Sequence, residues 1–110
     1  MNMSQTSIVG KHRTKISRHG ENTYITYWST DVVAFDNDWI LLKTDGYFTN
    51  TTKLRMNQAS TQFSLGYTVY QKQFEWYVTY QGETYKFCGN SMSLPRKNHS
   101  PYPKAEGINA

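Results

Sequence analysis

The chain has 110 residues, a length that predicts one domain with a small core. Aromatic residues make up 15% of it, charged residues 18%, and the formal net charge is +4. Cys88 is the only cysteine, which excludes an intrachain disulfide, and no apolar run approaches the roughly 18 residues of a membrane-spanning helix. These features, with no apolar signal segment at the N-terminus, predict a cytoplasmic protein that has no membrane partner.

The positive charge is concentrated at the two ends of the chain. Residues 1–20 contain no acid and four bases, which are Lys11, Arg13, Lys15 and Arg18. Residues 21–94 contain five bases against seven acids, and all three prolines lie in residues 95–110. We therefore expect a flexible basic N-terminal arm at 1–20, a folded domain at 21–94 and a flexible C-terminal tail at 95–110.

Strand patterns lie on both sides of a single helical pattern. The side chains of residues 23–29 alternate between two faces, which predicts a strand. Residues 31–44 indicate a hairpin whose turn is Asp36-Asn37-Asp38. After the helix, residues 68–88 predict a three-stranded meander in which Trp76, Val78 and Tyr80 share one face. The expected order is β-β-β-α-β-β-β, an α+β domain with an antiparallel sheet of about five to six strands.

The helix is predicted at residues 52–64, and it is expected to pack on the sheet. A threonine at position 49, 51 or 52 provides the N-cap, and Gly66 provides a left-handed stop. The stripe expected to face the sheet consists of Thr52, Met56, Ala59 and Phe63.

The opposite helix face is a candidate nucleic-acid surface. It consists of Lys53, Arg55, Asn57, Gln58 and Gln62. Arg reads guanine and Asn or Gln reads adenine through paired hydrogen bonds in a major groove. The lysines and arginines of the N-terminal arm would contact phosphates. The alternative is an ordinary solvated helix face, which the acid excess of residues 21–94 favours.

Aromatic strand residues offer a second candidate surface. Tyr24, Trp28, Tyr77 and Tyr80 would serve as anchors for a protein partner if they were exposed. The same rings, together with Tyr27, could stack on single-stranded nucleobases, but such platforms interleave Lys or Arg on their strands, and here the expected strands carry only Lys43, Lys72 and Lys86. Packing in the core is the competing interpretation.

No pattern indicates an enzyme, a cofactor or a metal site. The three histidines, His12, His19 and His99, lie in the expected arm and tail, and one cysteine cannot complete a zinc site with them. Asp36 and Asp38 fit a tight turn, because the other ligands of a calcium loop are missing. We expect a non-catalytic protein with neither a cofactor nor a metal.

Three segments together resemble a known family. They are Trp28-x-Thr30-x-Val32-Val33, Gly46-Tyr47-x-Thr49-x-Thr51-Thr52-Lys53-x-Arg55-Met56-Asn57-Gln58, and Val69-Tyr70-Gln71-Lys72 followed by Trp76-Tyr77-Val78. This pattern, over about residues 22–88, resembles small uncharacterised proteins of bacteriophages and mobile elements. The resemblance implies a small accessory protein in the host cell, and it assigns no activity or site residue. The preferred function is nucleic-acid binding through the helix at 52–64 and the basic arms. The alternatives are inhibition of a host defence or replication factor, and sequestration of nucleotides in an aromatic pocket at an oligomer interface.

Overall fold

The computed structural model describes residues 8–87 and 89–96. Its elements are β1 (Thr14–His19), β2 (Asn22–Tyr27), β3 (Thr30–Phe35), β4 (Trp39–Lys43), α1 (Asn50–Gln62), β5 (Tyr67–Lys72), β6 (Glu75–Tyr80), β7 (Glu83–Lys86) and β8 (Ser91–Pro95). The predicted α+β class is confirmed, with eight strands in two antiparallel sheets instead of five to six in one. Residues 1–7 of the expected arm and 97–110 of the expected tail lie outside the described residues.

The first sheet has the order β1-β2-β3-β4-β8, and it contains the predicted hairpin as β3 and β4. Its two outer strands come from segments in which no strand was expected. β1 lies within the predicted flexible arm, so the expectation that residues 8–20 are flexible is wrong. β8 pairs with β4 along its whole length, up to Trp39 opposite Pro95, which places the start of the expected tail in the sheet. β1 is ordered mainly by pairing with β2, because it has no continuous apolar face, whereas β8 also packs Met92 and Leu94 against the core.

The second sheet is the predicted meander, β5-β6-β7. As expected, Trp76, Val78 and Tyr80 share the buried face of β6. The β5–β6 turn consists of Gln73 and Phe74, both with positive φ (52° and 69°). Two positive φ angles in a two-residue loop define a type I′ turn, whose backbone twist matches that of paired strands.

Helix α1 begins two residues before the predicted position and ends two residues before the predicted end. Thr49 is the N-cap, and its hydroxyl accepts a hydrogen bond from the Thr52 N–H at 3.1 Å. At the other end the Leu65 N–H donates to the Ser60 carbonyl at 2.8 Å, and Ser64 has a φ of 55°. This is a Schellman ending with Ser64 in the left-handed position, so the prediction that Gly66 fills that position is wrong.

The core lies between the helix and the two sheets. The predicted helix stripe is confirmed, since Thr52, Met56 and Ala59 are buried and Phe63 packs against the core from a half-buried position. The Tyr67 hydroxyl donates to the Met56 carbonyl at 2.6 Å and so joins β5 to α1. Burial raises the pKa of the Tyr67 phenol well above its ordinary value, because the ionised form would lose its hydration.

The β3–β4 turn has the geometry that its Asp-x-Asp pattern predicts. One carboxylate oxygen of Asp36 accepts hydrogen bonds from the N–H groups of Asp38 and Trp39, at 2.8 and 2.9 Å. These two bonds lower the pKa of the Asp36 carboxyl, because both stabilise its ionised form. The Asp36 side chain thus serves the turn.

The side chain of Phe74 is placed unfavourably for stability. It is 94% exposed, and its backbone is left-handed, a conformation that costs a bulky residue about 1–2 kcal/mol. We expect Phe74→Asn to raise the free energy of unfolding by about 1 kcal/mol, because asparagine tolerates this conformation. Thermal denaturation would show this as a rise in Tm of about 4–8 °C.

Phe74→Ala is the matched control for this substitution. It removes the same ring but keeps a side chain that is strained at positive φ, so the gain should be absent. Equal stabilisation by alanine and asparagine would contradict the conformational explanation.

Candidate functional site

The helix face predicted to read bases is largely internal. Arg55 is 6% exposed and Gln58 is 3% exposed. The prediction that these two side chains lie on the solvent-facing side of the helix is therefore wrong. The cause is residues 8–13, here called the N-terminal segment, which lie across this part of α1 before β1 begins.

Arg55 is the centre of the contacts between the N-terminal segment and the helix. Its Nε donates to the Thr14 hydroxyl at 2.9 Å, and Nη1 donates to Gln58 Oε1 at 3.1 Å. Nη2 lies 3.5 Å from the His12 carbonyl, and the guanidinium lies 5.7 Å from the centre of the Tyr27 ring. Within residues 8–87 and 89–96 this cation has no carboxylate partner, so its charge is stabilised by neutral acceptors and one ring.

Two glutamine side chains bind the backbone of the N-terminal segment. Gln62 Oε1 accepts the Val9 N–H at 2.8 Å, and Gln58 Oε1 accepts the Gly10 N–H at 3.0 Å. Gly10 packs so closely that an added Cβ would lie 2.6 Å from Arg55 Nη1. The spacing of Arg55, Gln58 and Gln62 therefore matches a strip of the protein's own backbone.

The other two helix candidates contact the second sheet. Asn57 pairs with the backbone of Val69, because Nδ2 donates to its carbonyl and Oδ1 accepts its N–H, each at 2.8 Å. β5 is an edge strand, and this amide takes the place of a neighbouring strand at that residue. Lys53 is half-buried, with Nζ 3.3 Å from Gln71 Oε1 and 5.5 Å from the centre of the Trp76 ring.

The four bases of the expected arm lie on an ordered, accessible edge of the first sheet. Lys11, Arg13, Lys15 and Arg18 are all accessible to solvent, and the last two belong to β1. The register places Lys15 opposite Thr26 and Arg18 opposite Thr23, so the two side chains project from opposite faces of the sheet. The sequence predicted a flexible arm for these residues, whereas the structure gives them ordered backbone positions.

Two of the four predicted aromatic anchors lie next to these bases. Trp28 is 60% exposed in the β2–β3 turn, and the Arg13 guanidinium lies 4.2 Å from its ring centre. The Trp28 N–H donates to the Arg13 carbonyl at 2.8 Å, which extends the pairing of β1 with β2. Tyr24 is half-buried, with its ring centre 5.8 Å from that of His19. We call the surface formed by Lys11, Arg13, Lys15, Arg18, Tyr24 and Trp28 the basic edge.

The other two aromatic candidates belong to the second sheet. Tyr80 is buried, and its hydroxyl donates to the Pro95 carbonyl at 2.7 Å, so the prediction of an exposed anchor there is wrong. Burial raises the pKa of this phenol. Tyr77 is half-buried, and its ring stacks on that of Tyr70 with 5.6 Å between the centres. The four rings therefore do not form one surface.

A cavity of about 340 Å³ adjoins the basic edge. Its aromatic lining is Tyr27, Trp28 and Tyr47. Hydroxyl side chains contribute Ser29, Thr30, Thr44, Thr49 and Thr52, and Val32 completes the lining. Sequence reasoning missed this site, because it brings together the β2–β3 turn, the end of β4 and the start of α1. The density of Ser and Thr in those three loops was the available signal.

The described part of the chain offers no ligand set for a metal, since no three His, Cys, Asp or Glu residues in it are grouped suitably. No helix in that part is long and apolar enough to cross a lipid bilayer. Arranged in this way, the residues define a small single-domain α+β protein with a helix between two antiparallel sheets and a basic outer strand next to aromatic residues of β2 and its following turn.

A family model described as Kyanoviridae Gp96 protein matches residues 2–94, which is most of the chain. The protein therefore belongs to this phage family, as the sequence pattern predicted. The family description names no activity. Neither the curated proteins nor the solved structures contain a match.

The contact between Gln62 and Val9 can be tested without disturbing the helix. Gln62→Met keeps the length and helix propensity of the side chain but removes its acceptor. We expect faster hydrogen exchange at the Val9 amide and a loss of about 1 kcal/mol in unfolding free energy, because a half-buried N–H loses its partner.

Thr61→Met is the matched control, because Thr61 is the neighbouring exposed residue of the same helix. It should leave Val9 exchange unchanged. Unaltered Val9 protection in Gln62→Met would contradict the assignment of this hydrogen bond.

Proposed function

We propose that this protein is a non-catalytic phage accessory protein of the host cytoplasm that binds single-stranded nucleic acid through the basic edge. The main observation behind this proposal is that four basic residues lie on and just before one outer strand. No acidic residue lies among them, and they are next to an exposed tryptophan. Phosphates supply the complementary charge, and unpaired bases supply the rings that stack on Trp28 and Tyr24.

The charge of the basic edge is available to a ligand. Lys11, Lys15 and Arg18 have no ion pair with a carboxylate among the described residues. The nearest acid that follows in the chain is Glu21, beyond the end of β1. Since none of these three side chains is ion-paired, the acid excess counted for residues 21–94 does not neutralise them by direct contact, and the strand can attract a polyanion locally.

The geometry favours a single strand over a duplex. A helix that reads the major groove needs its Arg and Gln side chains in solvent, whereas Arg55 and Gln58 are internal here. An outer strand that carries Lys and Arg beside aromatic rings is typical of surfaces that stack unpaired bases. β1 supplies the lysine and arginine side chains that such a platform needs on its strands.

One observation favours the alternative of a protein partner. Phe74 is 94% exposed at the tip of the β5–β6 hairpin, on the second sheet and not on the basic edge. An exposed ring of this kind is a candidate anchor for a pocket on a host protein. Phe74→Asn should abolish binding in that case and leave nucleic-acid binding unchanged.

Salt dependence tests the proposed function directly. We expect single-stranded oligonucleotides to bind at low salt and the affinity to fall as salt is raised. Lys15→Gln/Arg18→Gln should weaken binding to all sequences and reduce the slope of log K against log salt by about 1.4, which corresponds to two lost phosphate contacts. Fluorescence anisotropy of a labelled strand measures both quantities.

Lys43→Gln/Lys72→Gln is the matched control, because these two lysines are also exposed strand residues but lie away from β1. Its affinity and salt slope should equal those of the unmodified protein. The proposal is overturned if neither DNA nor RNA strands bind at low salt, or if the two double variants behave alike.

A further inference from the structure

We propose that the cavity beside Trp28 holds one unstacked base of a nucleic-acid strand bound along the basic edge. This inference rests on the proposed function, and it adds to it a defined site for a single nucleotide. The cavity shares Trp28 with the basic edge, so one strand can contact both.

The cavity has exposed aromatic rings and a buried inner part. Trp28 and Tyr47 are 60% and 65% exposed although both line it, so their faces are accessible from solvent. Val32 and Thr52, which also line it, are almost completely buried. A planar base can stack on an accessible ring and displace water from apolar surface there.

The size of the cavity limits its ligand. Its volume of about 340 Å³ is near the lower end of the roughly 300–1,000 Å³ typical of small-molecule sites. The site therefore suits one base with part of its sugar, whereas several stacked bases would exceed it.

One buried hydroxyl in the cavity lacks a partner. Thr30 is 8% exposed, and its side chain makes no hydrogen bond to any residue within 8–87 or 89–96. By contrast, the Thr49 hydroxyl donates to that of Thr52, and the Thr44 hydroxyl contacts the Asn90 carbonyl. Buried polar groups are normally paired, so the Thr30 hydroxyl is the group that a ligand would satisfy.

The lining also determines the selectivity of the site. It contains no charged side chain and no amide, and apart from the indole N–H of Trp28 its polar side-chain groups are all hydroxyls or phenols. A hydroxyl both donates and accepts, so it can pair with the edge of any base. We therefore infer little discrimination among bases.

The electrostatic surroundings favour a nucleotide over a neutral ring. Thr49 lines the cavity and caps α1, whose N-terminus carries the positive end of the helix dipole. Arg13 lies over the Trp28 ring and adds a full positive charge. A base in the cavity would thus have its phosphate close to positive potential.

The test compares two strands of about 12 nucleotides, a length within the site sizes of single-strand binders. One is abasic throughout, and the other is identical except for one central thymine. In the unmodified protein the single thymine should tighten binding about 5- to 150-fold, the range for stacking one base. Anisotropy of an end label reports both affinities.

Substitutions then test whether the tighter binding of the thymine-containing strand depends on the cavity. Trp28→Asn, Tyr47→Ser and Thr30→Val should each reduce the effect of the thymine. Tyr47 and Thr30 lie outside the basic edge, so Tyr47→Ser and Thr30→Val should also leave binding of the abasic strand within a factor of about two, a difference too small to count as a lost contact. Asparagine is chosen at Trp28 because its φ is 57°, which asparagine tolerates. Phe74→Asn is the matched control, an equivalent replacement of an exposed ring in a left-handed turn far from the cavity.

The outcomes separate the two proposals. If the abasic strand binds with the expected salt dependence but thymine adds nothing, the base site is wrong and the basic edge stands. The base site is also wrong if Phe74→Asn removes the thymine effect as fully as Trp28→Asn does. If neither strand binds at low salt, both proposals are overturned.

Discussion

The buried guanidinium of Arg55 is the interaction on which the arrangement of this protein depends. A cation that loses its hydration must be compensated by hydrogen bonds or by opposite charge. Here no described carboxylate is paired with it, so the compensation comes from the Thr14 hydroxyl, from Gln58 and His12, and from the face of Tyr27. Two of these four partners, His12 and Thr14, lie in the N-terminal segment and at the first residue of β1, which makes the burial of Arg55 and the position of that part of the chain mutually dependent.

This dependence explains how a segment with little apolar character becomes ordered. β1 contributes a single aliphatic residue, Ile16, and even that side chain is largely exposed. Its order comes from backbone pairing with β2 and from polar contacts to α1 made before and at its first residue. The backbone positions of Lys11, Arg13, Lys15 and Arg18 are thereby set relative to Trp28, and the Arg13 guanidinium packs on its ring. Ordering the backbone of a binding surface in advance lowers the entropy lost when a ligand binds.

The sequence predicted those elements whose patterns are local and apolar. The hairpin at residues 31–44, the meander and the buried stripe of α1 all follow from alternation or helical periodicity, and all are present. β1 was missed because an edge strand needs only one partner and its residues show no such alternation. In β8, Ser91-Met92-Ser93-Leu94 does alternate, but this short run lies within a stretch rich in Ser, Asn, Pro and Lys, a composition typical of a tail. The helix face was misassigned for a related reason: periodicity rules place Arg55 and Gln58 outward, whereas their partners lie more than forty residues earlier in the chain. Contacts at that separation leave no periodic trace, and the cavity, assembled from three loops, was hidden for the same reason.

Two exposed aromatic residues, Trp28 and Phe74, occupy left-handed turns, and comparing them shows which surface is better adapted for binding. Neither conformation is favourable for a bulky side chain, so each needs support or a compensating use. Trp28 has support, because its N–H bonds to the Arg13 carbonyl and its ring contacts the Arg13 guanidinium. Phe74 makes no ring or cation contact with another described residue. The protein thus holds Trp28 in one orientation beside a cavity and a row of basic residues, whereas Phe74 has neither a cavity nor a row of basic residues described beside it. A preorganised ring within a charged, concave surface has the features of a ligand site, which is why the basic edge and its cavity are the stronger basis for function.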